Sequence, residues 1–178
     1  ALVLLFALTL DGIDARKIGF ASSLGPSDKE VIAFAAAQPP GTLFAVWPQS
    51  EGAMEFLPYR ARQPIFVMLK AHYPTFETHI LEMRARMEAL VDAYLARDEA
   101  PLRRLRCRWG VDYLIAEKSH FRPEGERPTY FAPFDAQIEA LWQDRRGSLL
   151  IADPAPQLIA LETADRLVLR LPGPCEPD

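Results

Sequence analysis

A chain of 178 residues has the length of a single domain, and it can bury enough apolar surface to fold without a disulfide or a structural metal. Its composition, 49% hydrophobic and 25% charged, is that of a soluble globular protein. The net charge of −4 argues against a nucleic-acid-binding protein, because affinity for the phosphate backbone depends on clustered Lys and Arg. The densest basic run spreads around a predicted helix and is expected to face solvent; it consists of Arg103, Arg104, Arg106 and Arg108.

The first ten residues, ALVLLFALTL, form an almost wholly apolar run. The run is too short to span a bilayer, which takes about 20 apolar residues. It also lacks the charged start and the small-residue cleavage site of a signal peptide. Two interpretations remain for residues 1–10: the end of a transmembrane helix whose beginning is missing, or a buried first strand. Residues 11–25 contain Gly and Ser without periodicity and are predicted to be a linker.

The first helix of the main body is predicted to begin at Ser27, with Glu30 completing a capping box. The Pro-Pro-Gly sequence at 39–41 ends this helix. Residues 42–47, TLFAVW, then predict a buried strand, because a short apolar run of β-formers lies between Gly and Pro. Two further elements are predicted on similar grounds: a short helix over 51–60 and a second buried strand over 65–69.

The longest predicted helix begins after Pro74, with Thr75 as its capping residue. A second helix follows over 102–109 and ends at Gly110, which can adopt the left-handed conformation of a helix C-terminus. Residues 111–116, VDYLIA, predict a third strand. The long helix carries an apolar stripe at three- and four-residue spacing, formed by Ile80, Met83, Met87, Leu90 and Tyr94.

The last third of the chain predicts a helix and a β-hairpin. Leucine occupies every second position over 166–171, and Arg166 and Arg170 stand at two of the positions between; this pattern indicates a strand with one wet face at a sheet edge. The tail, 172–178, contains three Pro and is expected to fray. The remaining elements are a loop over 120–130, a helix over 134–144, a strand region beginning at 149–151 and the first hairpin strand over 157–161.

Strands that alternate with helices indicate a partly parallel sheet. We therefore expect a single α/β domain over 26–171, with a mixed, partly parallel sheet flanked by helices and a closing C-terminal β-hairpin.

The sequence contains no glycine-rich phosphate-binding motif, no G-x-S-x-G nucleophile motif and no H-E-x-x-H zinc motif. We predict no catalytic residue, no cofactor and no metal, and we expect this segment alone not to be an enzyme. Cys107 and Cys175 form no disulfide framework and no metal spacing, so each is interpreted as an ordinary free cysteine. His72 and His79 would share a helix face, but Pro74 lies between them.

One group of polar residues supports a binding hypothesis. In open α/β sheets, ligands bind beyond the carboxyl ends of the strands. The residues just past the three predicted parallel strands are Gln49 and Glu51, then Lys70 and His72, then Glu117, Lys118 and His120. If these strands are neighbours, a small polar or anionic site is expected, formed by Lys70, His72, Glu117, Lys118 and His120. The alternative is that polar residues appear there only because the buried strands end.

The aromatic residues lie mostly on predicted apolar faces and are interpreted as core. Stacking against a sugar is the alternative role for any that are exposed, such as Tyr73 or Tyr130.

Three segments carry a resemblance to a known class of proteins, and they span roughly 26–171. They are PSDKEVIAFAAAQPPGTLFAVWP (26–48), RQPIFVMLKAHYP (62–74) followed by a helix with EMRARMEAL (82–90), and RCRWGVDYLIAEK (106–118). In this order they resemble the soluble C-terminal domain of poorly characterised bacterial polytopic membrane proteins, some of which look like type-C glycosyltransferases that use lipid-phosphate sugars. In those enzymes the catalytic acid lies between early membrane helices, so the resemblance carries no catalytic residue to this chain.

The resemblance implies an accessory domain on the extracytoplasmic, periplasmic face, attached to the membrane through residues 1–10. Its implied partners are the transmembrane portion of the same polypeptide and a lipid-linked sugar or an acceptor, and no nucleic acid. Two other functions stay open: a free-standing α/β small-molecule binding module or small enzyme that uses the Lys/His edge, and a structural or partner-binding domain.

Overall fold

A computed structural model describes most of the chain, namely residues 24–48, 53–69, 76–122, 125–143, 149–173 and 175. The predictions for residues 1–10 and for most of the linker at 11–25 lie outside the described residues. The domain boundaries therefore stay predictions.

Helices separate the strands along the first two thirds of the described chain, and a hairpin closes it. The helices are α1 (Pro26–Ala36), α2 (Leu57–Arg60), α3 (Glu77–Tyr94), α4 (Glu99–Trp109) and α5 (Phe134–Gln143). The strands are β1 (Phe44–Val46), β2 (Tyr113–Glu117), β3 (Ile159–Glu162) and β4 (Arg166–Arg170). Short 3-10 helices cover Ala53–Phe56, Lys118–Phe121, Leu150–Ala152 and Pro156–Leu158.

The described sheet has the strand order β1-β2-β4-β3. The strands β1 and β2 are parallel, whereas β4 is antiparallel to both β2 and β3. The predicted fold class is confirmed: a mixed, partly parallel sheet with flanking helices and a C-terminal β-hairpin.

Successive strand residues belong to two different cores, as the two-residue period of a strand requires. On one face, Leu114 and Leu169 pack in the larger core with apolar residues of α3, α4 and α5. On the other face, Ile115 and Val168 pack with Val31 of α1 and with Leu57 of α2. The sheet is therefore covered by helices on both sides, which explains why β1 is apolar throughout and β2 carries hydrophobic side chains from Tyr113 to Ala116.

The start of α1 differs from prediction, whereas the C-terminal end of α4 agrees; α4 begins at Glu99, three residues before its predicted start. The cap of α1 is Gly25, whose backbone N–H donates to Asp28 Oδ2 at 3.3 Å. Ser27, the predicted cap, lies within the first turn and donates its hydroxyl to Asp165 Oδ2 at 3.1 Å. Gly110 ends α4 in the left-handed conformation with φ of 71°, as predicted.

Two predicted strands are wrong. Residues 65–69 make only one parallel bridge, between Ile65 and Phe44, and at the end of the segment the backbone N–H of Leu69 donates to the Glu55 carboxylate at 3.0 Å. The strand predicted to begin at Leu149 is instead a 3-10 helix over Leu150–Ala152. The N–H of Leu150 donates to the carbonyl of Ala96 at 2.7 Å.

The alternating strand, β4, lies inside the sheet between β2 and β3, so its predicted edge position is also wrong. Its polar residues do not form one wet face. Arg166 is paired with acidic side chains, and Arg170 lies over the ring of Tyr113 at 5.9 Å. The middle of β4 therefore contributes to both apolar cores, with an ion-paired arginine at its start and an exposed arginine over Tyr113 at its end.

The amino end of β2 is fastened by a carboxylate and a disulfide. Asp112 Oδ2 accepts from the N–H of Leu43 at 2.8 Å, and Oδ1 pairs with Arg106, which was expected to be solvated. Cys107 of α4 is bonded to Cys175, with their Cα atoms 5.3 Å apart. The interpretation of two free cysteines was wrong.

Within the described ranges, none of the helices combines the length and the apolar character that crossing a membrane takes.

Candidate functional site

A cleft opens where the carboxyl ends of β1 and β2 lie side by side, and we call it the strand-end cleft. Its volume is about 640 Å³, which is in the range of small-molecule sites. Its apolar lining consists of Trp47, Pro48, Leu69, Tyr130 and Phe131. Its polar lining consists of Glu117, Ser119, His120, Glu126, Arg127 and Thr129. This position agrees with the rule that ligands bind beyond the carboxyl ends of an open sheet.

The apolar wall is anchored at its back and exposed at its rim. Trp47 directly follows β1, is only 5% exposed and donates its indole N–H to the carbonyl of Thr129 at 3.2 Å. The rings of Tyr130 and Phe131 stack with centroids 4.3 Å apart. Phe131 is 47% exposed, so the wall presents an aromatic ring to solvent at the mouth of the cleft.

A buried chain of hydrogen bonds fixes the polar wall. The N–H of Glu117 donates to Tyr94 Oη at 3.0 Å, and Oη lies 2.8 Å from His120 Nδ1. Because Oη already accepts a hydrogen bond from the Glu117 N–H, the phenol hydrogen is left to be donated to His120 Nδ1. His120 then carries its proton on Nε2, which lies 3.7 Å from Glu117 Oε2. Burial raises the pKa of Tyr94, so the phenol keeps that proton.

Arg166 holds the Glu117 carboxylate from behind. Its guanidinium contacts Glu117 Oε1 and lies 3.2 Å from Asp28 Oδ1. Burial by itself would lower the pKa of Arg166, but hydrogen bonds and charge attraction from Glu117 and Asp28 outweigh this and raise it. A permanent cation therefore joins α1, β2 and β4 directly beneath the cleft.

His120 lines the cleft as a neutral imidazole. Burial is the main reason that the pKa of His120 is lowered from its usual value of 6.5. The Glu117 carboxylate opposes this shift, Arg166 adds to it, and the more distant Glu126 opposes it. A neutral ring with Nε2–H is the state that matches the hydrogen bond from Tyr94.

The structure brings two of the predicted site residues together and separates a third. Glu117 and His120 both line the strand-end cleft. Lys118 points away from it, because its ammonium donates to Glu162 Oε1 at 2.7 Å and to the carbonyl of Thr163 at 2.5 Å. Lys70 and His72, with Gln49 and Glu51, lie outside the described residues. A binding role for these residues stays a prediction.

Sequence reasoning missed most of the remaining cleft. The aromatic wall was assigned to core or to loop, and only Tyr130 was considered as a stacking residue. A weak signal existed in the Thr-Tyr-Phe run at 129–131, where two aromatic residues end a polar loop. Tyr94 and Arg166 belong to a helix and a strand far away in sequence, and no local pattern links them to Glu117.

Two polar atoms of Glu117 and His120 remain available at the cleft wall. One oxygen of Glu117 is held by Arg166, and Nδ1 of His120 is occupied by Tyr94. The separation of 3.7 Å between Glu117 Oε2 and His120 Nε2 is too long for a hydrogen bond. An acceptor and a donor therefore stand side by side at the cleft wall.

No protein-family model matches the sequence, and no curated protein matches it. Among solved structures, the chain is similar to the crystal structure of the C-terminal globular domain of an oligosaccharyltransferase from Archaeoglobus fulgidus. The two are 12% identical with a TM-score of 0.49, and the match covers 84% of this chain and 99% of that one. A similarity of this size concerns the course of the backbone alone and carries no information on ligand or activity.

Proposed function

We propose that this chain is an extracytoplasmic accessory domain of a longer, membrane-attached protein, and that its strand-end cleft binds a polar group of that protein's substrate. The proposal of an extracytoplasmic compartment rests on the disulfide between Cys107 and Cys175. Disulfides persist in oxidising compartments such as the periplasm and are rare in the cytosol. Both cysteines are exposed, so cytosolic thiols would reach the bond.

Attachment to a membrane part rests on the sequence. Residues 1–10 are proposed as the end of a transmembrane helix, and the resemblance over 26–171 supports a domain that follows such helices. The transmembrane portion of the same polypeptide is then its partner, and a type-C glycosyltransferase is the proposed class. Because such enzymes keep their catalytic acid between membrane helices, the role proposed for this domain is accessory.

Glu117 and His120 are the proposed ligand contacts. Both line the cleft, and each retains one polar atom that the described contacts do not use fully. Lys70 is proposed as a further contact because it directly follows Leu69, which lines the cleft. Lys118 has its ammonium bound to Glu162 and Thr163, and we propose a structural role for it.

The compartment can be tested on the complete gene product in its native cells. Cells are treated with a membrane-permeable alkylating reagent before lysis, and peptides containing Cys107 and Cys175 are identified by mass spectrometry without reduction. We expect one cross-linked peptide pair and no alkylated thiol. Alkylation of both cysteines in the intact cells would contradict an oxidising compartment.

Attachment and sidedness need a second measurement. Protease added to spheroplasts should digest an epitope placed after Asp178, and the protein should remain in the membrane after a carbonate wash. Recovery in the wash, with the epitope still exposed, would favour a free-standing binding module. An epitope protected in intact spheroplasts would place the domain in the cytoplasm and refute the proposal.

A further inference from the structure

We infer that a second surface, at the open edge of the sheet, binds the free C-terminal end of an extended peptide whose last side chain is apolar. The peptide adds a strand to β3, its last side chain enters a small cavity beside β3, and its carboxylate pairs with Arg122. We call this cavity the hairpin pocket. It shares no described lining residue with the strand-end cleft, so the inference goes beyond the proposed function.

The hairpin pocket is lined by residues of the β3–β4 hairpin and of two 3-10 helices, and its volume is about 270 Å³. Its apolar lining consists of Phe121, Ile151, Ala152, Pro154, Ile159 and Leu167. Its polar lining consists of Lys118, Arg122 and Glu162. The volume lies below the usual range of small-molecule sites, about 300–1,000 Å³. A cavity of this size and lining suits one apolar side chain.

Arg122 is the one charged lining residue that the described part of the chain leaves unpaired. The ammonium of Lys118 donates to Glu162 Oε1 at 2.7 Å and to the carbonyl of Thr163 at 2.5 Å. Lys118 and Glu162 thereby offset each other, and the exposed guanidinium of Arg122 gives the hairpin pocket a net positive charge. A guanidinium binds a carboxylate through two parallel hydrogen bonds. The lining therefore favours a ligand that carries a carboxylate next to an apolar group.

The small volume decides where that carboxylate lies on a peptide. The last residue of a chain carries its side chain and its carboxylate on the same Cα atom, so both groups can reach one small cavity. Within an extended strand, side chains on the same face are two residues apart, which is about 6.5 Å. The carboxylate of an internal acidic residue would therefore stand further from the apolar side chain than a C-terminal carboxylate does.

The edge of the sheet beside the hairpin pocket supplies backbone partners. β3 is the last strand in the order β1-β2-β4-β3, and within the described ranges it pairs only with β4. The N–H of Thr163 donates to the carbonyl of Arg166, so the alternation of an antiparallel pair turns the backbone groups of Glu162 away from β4. The preceding residues, 159–161, carry no charge that would repel an added strand. A peptide strand can therefore bind the outward N–H and C=O of Glu162, which also lines the pocket.

The test is a titration of the isotope-labelled 178-residue chain with short peptides, followed by NMR. The probe is acetyl-Thr-Ser-Thr-Val-Leu with a free carboxylate, and its comparator is the same peptide with a C-terminal amide. We expect the free acid, at about 1 mM, to shift the amide resonances of Ala152, Ile159 and Glu162. The amide should bind about tenfold more weakly, because it has lost the charge that pairs with Arg122. Absence of these shifts, or equal affinity of acid and amide, would overturn the inference.

A matched variant tests whether Arg122 holds the carboxylate. Arg122→Met removes the charge at an exposed position, so the fold should be retained and the variant should bind the acid and the amide equally. Arg60→Met is the control, because Arg60 is exposed at the end of α2 and does not line the hairpin pocket. It should keep the preference for the acid. The same preference in Arg122→Met would refute the role of this arginine.

Further probes separate strand addition from simple filling of the pocket. A strand directs its N–H groups to alternate sides, so peptides N-methylated at the valine or at the threonine before it should differ about tenfold in affinity. Equal affinities would refute strand addition. Binding of 4-methylpentanoate as tight as that of the peptide would assign the pocket to small apolar acids and overturn the inference. Tighter binding of acetyl-Thr-Leu-Thr-Asp-Thr-amide would overturn it in favour of an internal acidic segment.

Discussion

The two ends of β2 place polar residues in similar positions and use them differently. At the amino end, both oxygens of Asp112 are bound, one by the N–H of Leu43 and one by Arg106, and the neighbouring disulfide joins α4 to the chain after β4. At the carboxyl end, Arg166 and Tyr94 bind Glu117 and His120 from one side, and the other side faces an open cleft. A strand end becomes a candidate binding site when its polar groups are positioned but not all satisfied.

The largest expected effect concerns the disulfide at the amino end. The bond closes a loop of 68 residues, and the chain-entropy estimate for such a loop is about 4 kcal/mol. Replacing Cys107 and Cys175 together by Ser should lower the free energy of unfolding in urea by about that amount. The Ser variant should be insensitive to dithiothreitol, whereas the original chain should lose stability on reduction. Equal urea midpoints for the oxidised and reduced chain would contradict this.

The next effect concerns the cation beneath the cleft. Arg166→Met would leave Glu117 and Asp28 close together and mostly buried without their counterion, and we expect a loss of about 3 kcal/mol. Arg84→Met is the control, because Arg84 and Glu88 form an exposed helix pair expected to contribute less than about 0.5 kcal/mol. Urea unfolding measures both variants. A similar loss in the two would mean that burial of the Arg166 cluster has no energetic consequence.

A smaller effect is expected from the phenol that orients His120. Tyr94→Phe removes the acceptor of the Glu117 N–H and the partner of His120 Nδ1, at a cost of about 2 kcal/mol for buried groups left unpaired. Long-range ¹H–¹⁵N NMR should show a single tautomer, protonated at Nε2, in the original chain. In the variant both tautomers should appear. Protonation at Nδ1 in the original chain would refute the proposed hydrogen-bond direction.

The smallest effect is the pH dependence that His120 contributes. Because burial lowers its pKa in the folded state, the unfolded chain binds the proton more readily as the pH falls below about 6.5. Stability should be full above that pH and decrease as the pH falls towards the folded-state pKa, with a slope of at most about 1.4 kcal/mol per pH unit. Tyr94, Glu117, Arg166 and the more distant Glu126 set this environment.

Urea midpoints between pH 7 and 5 provide the measurement. His120→Asn, whose amide oxygen can replace Nδ1 as an acceptor, should flatten the dependence. His79→Asn, on the surface of α3, should retain it. Identical slopes for His120→Asn and the original chain would show that His120 is not the titrating group.

Local patterns predicted the parts of this fold that local physics determines. The α3 stripe from Met83 to Tyr94, the glycine that ends α4 and the existence of strand β4 each reflect a period or a backbone preference within a few residues, whereas Ile80, the first residue of the predicted stripe, is 44% exposed. Failures occurred where a distant group decided the outcome. Residues 65–69 are apolar enough for a strand, but they make a single bridge to β1, and the N–H of Leu69 binds the side chain of Glu55, which lies 14 residues earlier in the sequence. The edge position of β4 failed because Glu117 and Asp28 neutralise an arginine that otherwise resembles a wet-face residue.

The candidate site was only half predictable for the same reason. The rule that ligands bind beyond parallel strand ends locates Glu117 and His120. It does not reveal that Lys118, between them, is bound to the β3–β4 hairpin, nor that a loop supplies Tyr130 and Phe131. The disulfide was unpredictable from spacing, because it depends on α4 and the tail meeting in space.

The bond between Cys107 and Cys175 also makes residues 108–174 part of a covalent ring, which includes β2, α5, the hairpin and the cleft segment at 119–131. A single proteolytic cut within 119–131 would therefore not separate the protein into two pieces. The nicked chain should run as one band on a non-reducing gel and as two after reduction. In an oxidising compartment, the domain could tolerate a broken loop at the cleft without losing either half.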